Sequence, residues 1–233
     1  MRQLLLLACG LSLAGCAPSI SDYLKEHRAQ VEVLAQRLHA ASKAVAALEQ
    51  APTGLPCDAP ALKPNGFRGA GNAEVFLAEQ LDGIADGEAP KVANDAIKLM
   101  LSVLAPEPAA ATTLAWAKRA PDAKLGDNRV AIDGALGLEY AVVARPRARV
   151  PGSQQVDLFL VHLASGKVVC GATATGTADV NSQGTTYERV VQGTGESLGT
   201  HTVGGYGNDL LASTRHDVTQ VLAKQFKLDL APH

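Results

Sequence analysis

Residues 155–169 read QVDLFLVHLASGKVV, in which two apolar runs are joined by a short Ala-Ser-Gly turn. Successive side chains of a β-strand point to opposite faces of its sheet. Within residues 158–163 both alternating sets are largely apolar, so a strand here would be buried on both faces. We therefore predict an interior strand over 155–163 that turns back into the next strand.

The flanking segments extend this pattern to a small sheet. Residues 138–150 and 167–180 are also rich in β-forming residues, and Pro151-Gly152-Ser153 separates the first of them from the interior strand. Three consecutive strands joined by short turns predict an antiparallel meander. An amphipathic helix over Asn208–Phe226, with Asn208 as its N-cap, is expected to cover one face of the sheet.

Helical patterns dominate the first half of the chain. Apolar residues recur with helical spacing over Lys91–Leu104, and a second short helix over Thr112–Ala120 is expected to bury Trp116. Residues 73–84 fit either a strand or a short helix. The predicted fold class is α+β, with a long N-terminal helix followed by a small sheet, a three-strand antiparallel meander, that helices cover.

The long N-terminal helix is predicted over Ser21–Gln50, which contains neither glycine nor proline. Its apolar residues fit a heptad repeat, with His27 as the one polar residue in the seam. The seam positions are Leu24, Val31, Leu38 and Val45, and His27, Leu34, Ala41 and Leu48. Such a stripe fits either a helix packed on its own domain or the stalk of a homo-oligomer that associates through Leu24–Leu48.

The N-terminus carries the strongest motif, Leu13-Ala14-Gly15-Cys16, placed after Arg2 and an apolar run over Leu4–Leu13. A run of about ten residues is too short to span a bilayer as a helix and is typical of a signal peptide. The motif resembles the lipobox of bacterial lipoproteins. The resemblance implies cleavage before Cys16, whose sulfur would carry diacylglycerol and whose acyl chains, such as palmitate, would anchor the protein. The alternative is an uncleaved anchor or an ordinary signal peptide.

The residue after the motif is Ala17, where some bacterial lipoproteins carry an aspartate that retains them at the inner membrane. In a Gram-negative cell the resemblance therefore implies an anchor in the outer membrane, with the domain in the periplasm. We predict a signal peptide at 1–15, a lipidated N-terminus and helical stalk at 16–50, a Pro/Gly-rich linker at 51–71 and an α+β domain at 72–233.

Cysteine usage and charge narrow the class of protein further. Once Cys9 is removed and Cys16 is lipidated, Cys57 and Cys170 remain, either as one disulfide of an oxidising compartment or as two separate thiols. Without Arg2, 20 basic residues face 23 acidic ones, a formal charge of −3. This balance provides no basic field for nucleic acid, so no nucleic-acid partner is expected.

Residues 138–226 carry a second resemblance. A strand at Tyr140–Val143, a hairpin at Leu163-Ala-Ser-Gly-Lys167, a third strand and a closing helix resemble small periplasmic α+β domains of outer-membrane lipoproteins. Examples are the curli-secretion channel subunit and the lipoprotein activators of peptidoglycan synthases. Their hairpin reads D-x-x-T-G-K-V, and this chain departs from it at the aspartate. The resemblance implies this fold and a scaffold role, without specific functional residues.

Three arginines form the candidate contact surface. Arg145, Arg147 and Arg149 alternate along a predicted strand, so their guanidiniums would line one face. One interpretation is a charged sheet edge, which Pro146 also favours and which prevents pairing with other strands. The other is a site for an acidic envelope partner, because guanidiniums bind carboxylates and phosphates bidentately.

Enzymatic motifs are weak. Gly195-Glu196-Ser197-Leu198-Gly199 matches G-x-S-x-G, but polar residues precede it and several glycines follow, unlike a nucleophile elbow. The histidines have no metal-binding spacing, so we predict no catalytic residue, metal or cofactor. The predicted function is a lipid-anchored binding or assembly component of the envelope, with a protein or peptidoglycan partner. The alternatives are an auxiliary lipoprotein of a transporter or secretion channel, and a serine hydrolase using Ser197.

Overall fold

The computed structural model describes residues 18–53, 57, 59–65, 71–90, 108–148, 150–178 and 206–228. The helices in these ranges are α1 (Ile20–Glu26), α2 (Arg28–Ala46), α3 (Leu81–Ala85), α4 (Ala109–Arg119), α5 (Asn128–Leu136) and α6 (Tyr206–Lys224). The strands are β1 (Ala73–Leu77), β2 (Tyr140–Pro146), β3 (Ser153–His162) and β4 (Lys167–Thr177), and a 3₁₀ turn at Ala78–Gln80 links β1 to α3. The fold class is α+β.

Four strands form a mixed sheet in the order β1-β2-β3-β4, within the part of the chain that the structure describes. Strands β2, β3 and β4 are antiparallel neighbours, and β1 lies parallel to β2 with Val75 opposite Val142. The predicted sheet of three antiparallel strands therefore needs correction. It lacked β1, because five residues at 73–77 are too few for their pattern to distinguish strand from helix.

Strand β3 lies inside the sheet and is buried on both faces, as its apolar pattern predicts. One face packs against helices α2 to α5, and the buried residues that join them include Leu38, Phe76, Leu81, Leu114, Val143 and Phe159. The opposite face packs against α6, through residues that include Val142, Leu158, Leu160, Val218, Leu222 and Phe226. The sheet is thus the middle layer between two helical layers.

The single long N-terminal helix is a second correction, because the chain forms α1 and α2 with a break at His27. The His27 backbone leaves helical geometry, at φ −100° and ψ 18°. Its ring stacks on Tyr23 at 4.2 Å between centroids, and Nδ1 lies 2.8 Å from the Tyr23 carbonyl oxygen. These contacts of the side chain with the preceding turn hold the break in place.

The heptad stripe of α2 packs on its own domain. Its buried members belong to the same apolar cluster as the sheet, and they are Leu34, Leu38, Ala41 and Val45. Of the two interpretations of the stripe, the structure therefore has the helix packed on the domain through its buried side.

Part of the predicted 51–71 linker also lies on the domain. Leu62 is fully buried, and parallel bridges join Leu62 to Leu228 and Pro64 to Ala73. Cys57 and Cys170 are at disulfide distance, with Cα atoms 5.2 Å apart and a separation of 113 positions in sequence. Such a crosslink ties this segment to β4, and closing a loop of that length stabilises a fold by roughly 4–5 kcal/mol in the chain-entropy model.

The remaining helices differ in detail from the prediction. Helix α4 begins three residues before the predicted Thr112, and Trp116 is half-buried against the cluster around Ile20. Helix α6 begins at Tyr206, so Asn208 lies in its first turn and not at the predicted N-cap. Helix α5 was not predicted, and the predicted helix at 91–104 lies outside the described residues.

Helix α6 covers the outer side of β4 at close range. The Thr175 amide donates to Oδ2 of Asp217 at 2.6 Å, and the Thr177 amide donates to Oγ of Ser213 at 3.0 Å. A Cβ built on Gly176 would meet the backbone nitrogen of Thr214 at 2.5 Å. Because Gly176 has no side chain, helix α6 can lie close enough to β4 for its side chains to accept hydrogen bonds from amides at the edge of the sheet.

We predict that Gly176→Ala lowers the free energy of unfolding by about 2 kcal/mol, because helix α6 must move away from the new methyl group. Gly83→Ala is the matched control, since the nearest atom to its Cβ is a Glu88 side-chain oxygen at 3.4 Å. Alanine in helix α3 should leave stability unchanged or raise it by up to about 1 kcal/mol. Urea unfolding of both variants measures the difference, and equal stabilities would contradict the close packing at Gly176.

Candidate functional site

The densest polar cluster lies at the end of β2, where two of the predicted arginines meet a buried carboxylate. Asp157 on β3 has no exposed side-chain surface. Arg147 binds it bidentately, with Nε 3.0 Å from Oδ2 and Nη2 2.8 Å from Oδ1. Nη2 of Arg145 lies 3.3 Å from Oδ2, and the Thr173 hydroxyl donates to Oδ1 at 2.9 Å. We call these four residues the Asp157 cluster.

Arg145 also connects this cluster to helix α2. Its Nη1 donates to the carbonyl oxygens of Val45 and Leu48 at 3.3 and 2.7 Å, and its Nη2 donates to that of Glu49 at 2.9 Å. Val45 lies in the last turn of α2, and Leu48 and Glu49 closely follow the helix, so the guanidinium complements the negative end of the helix dipole. The guanidinium carbon also lies 4.8 Å from the centre of the Phe159 ring. Arg145 thus connects strand β2 to the C-terminal end of helix α2.

The charge of Asp157 is stabilised in place. Burial raises the pKa of its carboxyl group, but hydrogen bonds from Arg147, Thr173 and Arg145 outweigh burial and hold the pKa below 3.8. The carboxylate is therefore ionised at neutral pH and neutralised by guanidiniums that are only 27% and 35% exposed.

This geometry bears on both interpretations of the arginines. Strand β2 lies between β1 and β3, but its pairing with β1 does not reach Arg145 or Pro146, which agrees with the interpretation of this end of the strand as a sheet edge. Pro146 is tolerated because β1 pairs with β2 only as far as Ala144. The guanidiniums of Arg145 and Arg147 share one face, as the alternation predicts, but they bind groups of the chain itself. Arg149 lies outside the described residues, and binding of an acidic partner stays a prediction.

A second buried carboxylate, Glu74 on β1, lies at the start of helix α4. It is 5% exposed, accepts a hydrogen bond from Nδ2 of Asn65 at 2.9 Å and another from the Ala110 amide at 3.1 Å. Burial raises the pKa of Glu74 to about 7, although both hydrogen bonds favour the ionised form. Unlike Asp157, Glu74 has no cation among its hydrogen-bond partners in the described residues.

A third polar group holds helix α1 of the N-terminal segment against helix α5. The Tyr23 hydroxyl donates to Oδ1 of Asp133, and the Arg129 guanidinium binds Asp133 and lies 5.5 Å from the centre of the Tyr23 ring. The hydrogen bond raises the pKa of Tyr23, and burial adds to that rise. These contacts join helix α1 to helix α5.

Helices α2 and α3 are joined by His39, whose ring nitrogens lie 3.2 Å from Oδ1 of Asp82 and 3.1 Å from Oδ1 of Asp86. Each nitrogen faces a different carboxylate, so the group links two helices. Among the described residues no group of three or more histidine, cysteine, aspartate or glutamate side chains could hold a metal ion.

The predicted site residues Cys16 and Arg149 lie outside the described residues, as does Ser197 of the alternative hydrolase, whereas Cys57 and Cys170 are brought together. Sequence reasoning missed Asp157 and Glu74. Each is the one acidic residue within an otherwise apolar or uncharged strand, a signal that could have identified both.

No protein-family model matches the chain, and no curated protein or solved structure is significantly similar to it. None of the helices in the described ranges is long and apolar enough to cross a membrane.

We predict that Asp157→Asn lowers the free energy of unfolding at pH 7 by about 2–3 kcal/mol, because it leaves two half-buried guanidiniums without their carboxylate. Glu32→Gln is the control, since it breaks the exposed Arg28–Glu32 pair, and should cost under about 0.5 kcal/mol. The contribution of Asp157 is present above its unfolded pKa and is lost as pH falls through its lowered folded pKa. The gap between wild type and Asp157→Asn in denaturant unfolding should therefore narrow below about pH 4; a gap that does not depend on pH would argue against ionic stabilisation.

Glu74 generates the opposite pH dependence. Its pKa is about 7 in the folded protein and near 4.5 when unfolded, so stability is lost as pH rises from 4.5 through 7. This difference in pKa corresponds to roughly 3 kcal/mol of folding stability. We predict that Glu74→Gln removes this loss between pH 5 and pH 8, whereas Glu26→Gln, at an exposed site on α1, leaves it in place. Denaturant unfolding at both pH values measures this loss of stability. If stability falls equally with pH in Glu74→Gln and in the wild type, Glu74 is not the cause of the loss.

Proposed function

We propose that the protein is a lipoprotein of the bacterial envelope, anchored to the outer membrane through Cys16, whose domain acts as a binding or assembly component. The Cys57–Cys170 pair carries this proposal. These are the two cysteines that remain after Cys16 when the leader is removed, and they lie at disulfide distance. Stable disulfides belong to proteins of oxidising compartments such as the periplasm, to which a cleaved leader would deliver the chain.

The lipid anchor accounts for the beginning of the chain. Leu13-Ala14-Gly15-Cys16 ends an apolar leader, and Cys16 lies two residues before Pro18, whose carbonyl accepts a hydrogen bond from the Leu125 amide of the domain. Each buried CH₂ of an acyl chain contributes about 0.8 kcal/mol, so a multiply acylated cysteine holds a protein on a membrane stably.

The role of a binding or assembly component is supported by how the polar groups are used. The Asp157 cluster joins β2, β3, β4 and the end of α2, and Glu74 joins β1 to α4. His39 joins α2 to α3, and Tyr23 joins α1 to α5. Each of these groups connects secondary-structure elements of the domain. Because the stripe of α2 is buried, the proposal does not depend on a coiled coil, and the expected partner is an envelope protein or peptidoglycan.

Crosslinking in intact cells tests this function. Cells producing the wild type or the Cys16→Ser, Cys9→Ser or Ser197→Ala variant are fed an alkyne analogue of palmitate and treated with a crosslinker. We predict label on wild type and on Cys9→Ser and none on Cys16→Ser. We also predict one reproducible envelope partner, identified by mass spectrometry, that depends on the anchor.

The controls separate the alternatives. Cys9 lies in the leader outside the lipobox, so its replacement tests whether the label depends on position. Label that persists in Cys16→Ser would contradict the lipid anchor. Labelling by a serine-reactive probe that is lost in Ser197→Ala would overturn the assembly role in favour of a hydrolase.

A further inference from the structure

The first residues of the domain are held by main-chain hydrogen bonds. The Leu125 amide donates to the Pro18 carbonyl at 3.0 Å, and the Ile20 amide donates to the Ala123 carbonyl at 2.8 Å. Between them, Ser19 and Lys124 form an antiparallel bridge. The chain is therefore fixed to the domain from Pro18 onward.

Side chains reinforce this attachment. Ile20 is 1% exposed and Leu24 is 4% exposed, and both pack with Leu125 and Ile132. The Tyr23 hydroxyl donates to Asp133 on α5. Release of Pro18 from the domain would require breaking this packing, so the N-terminal segment cannot serve as a flexible extension of the tether.

The covalent distance to the lipidation motif is short. Ala17 alone separates Cys16 from Pro18, and two residues of extended chain span at most about 7 Å. A lipidated cysteine lies at the level of the headgroups because its acyl chains enter the bilayer. Pro18 and its immediate surroundings would then lie within about 7 Å of that level.

From these observations we infer that the domain lies directly on the bilayer through one defined face, an inference that rests on the proposed lipidation of Cys16. This N-terminal face consists of exposed residues around the attachment point: Pro18, Asp22, Ala123, Lys124, Gly126 and Asp127. Its partner is the headgroup layer of the membrane that holds the anchor. The remaining faces of the domain are directed toward the aqueous side and are available to a protein or peptidoglycan partner.

The covalent tether sets the orientation of the domain on the bilayer, without a patch of basic residues that attracts the membrane. Acidic and basic residues are mixed on the N-terminal face, which carries Lys124, Asp22 and Asp127. Asp22 is itself bound by Ser19 and Lys25. Basic patches release membranes at high salt because screening removes their attraction. A face held by a covalent tether should stay in place when salt is raised.

Fluorescence quenching on vesicles tests the inference. Because Cys16 is lipidated and Cys57 is paired with Cys170, Lys124→Cys provides one free thiol for an environment-sensitive fluorophore. Arg215→Cys is the matched control, since it is exposed on α6 across the sheet from α2. The purified lipidated proteins are reconstituted in vesicles of phosphatidylethanolamine and phosphatidylglycerol that contain a lipid with a nitroxide on its headgroup.

We predict strong loss of fluorescence at position 124 and much less at position 215, at low and high salt. A Gly-Ser insert of about 20 residues between Ala17 and Pro18, with a mean span of roughly 25 Å, should reduce quenching at 124 to the level at 215. The same Gly-Ser segment appended after His233 should have no effect.

Flotation of the vesicles is measured first and separates the two proposals. A protein that does not float with the vesicles lacks a functional anchor, which overturns the proposed function and this inference together. A protein that floats but is quenched equally at 124 and 215, or whose quenching at 124 is unaffected by the insert, keeps the anchor and overturns the defined face.

Discussion

The structure depends on a sheet that is apolar on both faces. Strand β3 is buried on both sides, so water must be excluded by helical layers above and below it. Helices α2 to α5 form one layer and α6 forms the other. The order of the chain follows from this requirement, because the segments before β2 supply the first layer and the segment after β4 supplies the second. The Cys57–Cys170 pair then ties the segment after α2 to β4, beneath α6.

Two buried carboxylates connect the sheet to helices of the first layer, and their surroundings shift their pKa values in opposite directions. Asp157 is surrounded by guanidiniums, so its pKa is lowered and its charge joins the sheet to the end of α2. Glu74 accepts hydrogen bonds from neutral donors, so burial raises its pKa to about 7. The first stabilises the fold at neutral pH, whereas the second stabilises it best in mild acid. Both carboxylates connect secondary-structure elements of the domain.

The sequence predicted the α+β class because the apolar pattern of residues 155–163 is strong and local. It did not resolve β1, whose five residues acquire strand geometry by pairing with β2, nor the break at His27, which depends on side-chain contacts with Tyr23. Helix α5 is short and contains Gly134, which weakens its pattern. The surroundings of Arg145 were also beyond local inference. Its partners at Val45 and Leu48 lie about a hundred residues away, so their contact arises only from the tertiary fold.

We propose that one processed chain carries both a lipid on Cys16 and a disulfide between Cys57 and Cys170. The most direct test is the intact mass of the protein extracted from membranes without reduction, measured again after reduction. We predict a chain that begins at Cys16, carries diacylglycerol and further acyl mass, and gains two hydrogens on reduction. An unmodified chain that begins at Met1 and whose mass does not change on reduction would contradict it.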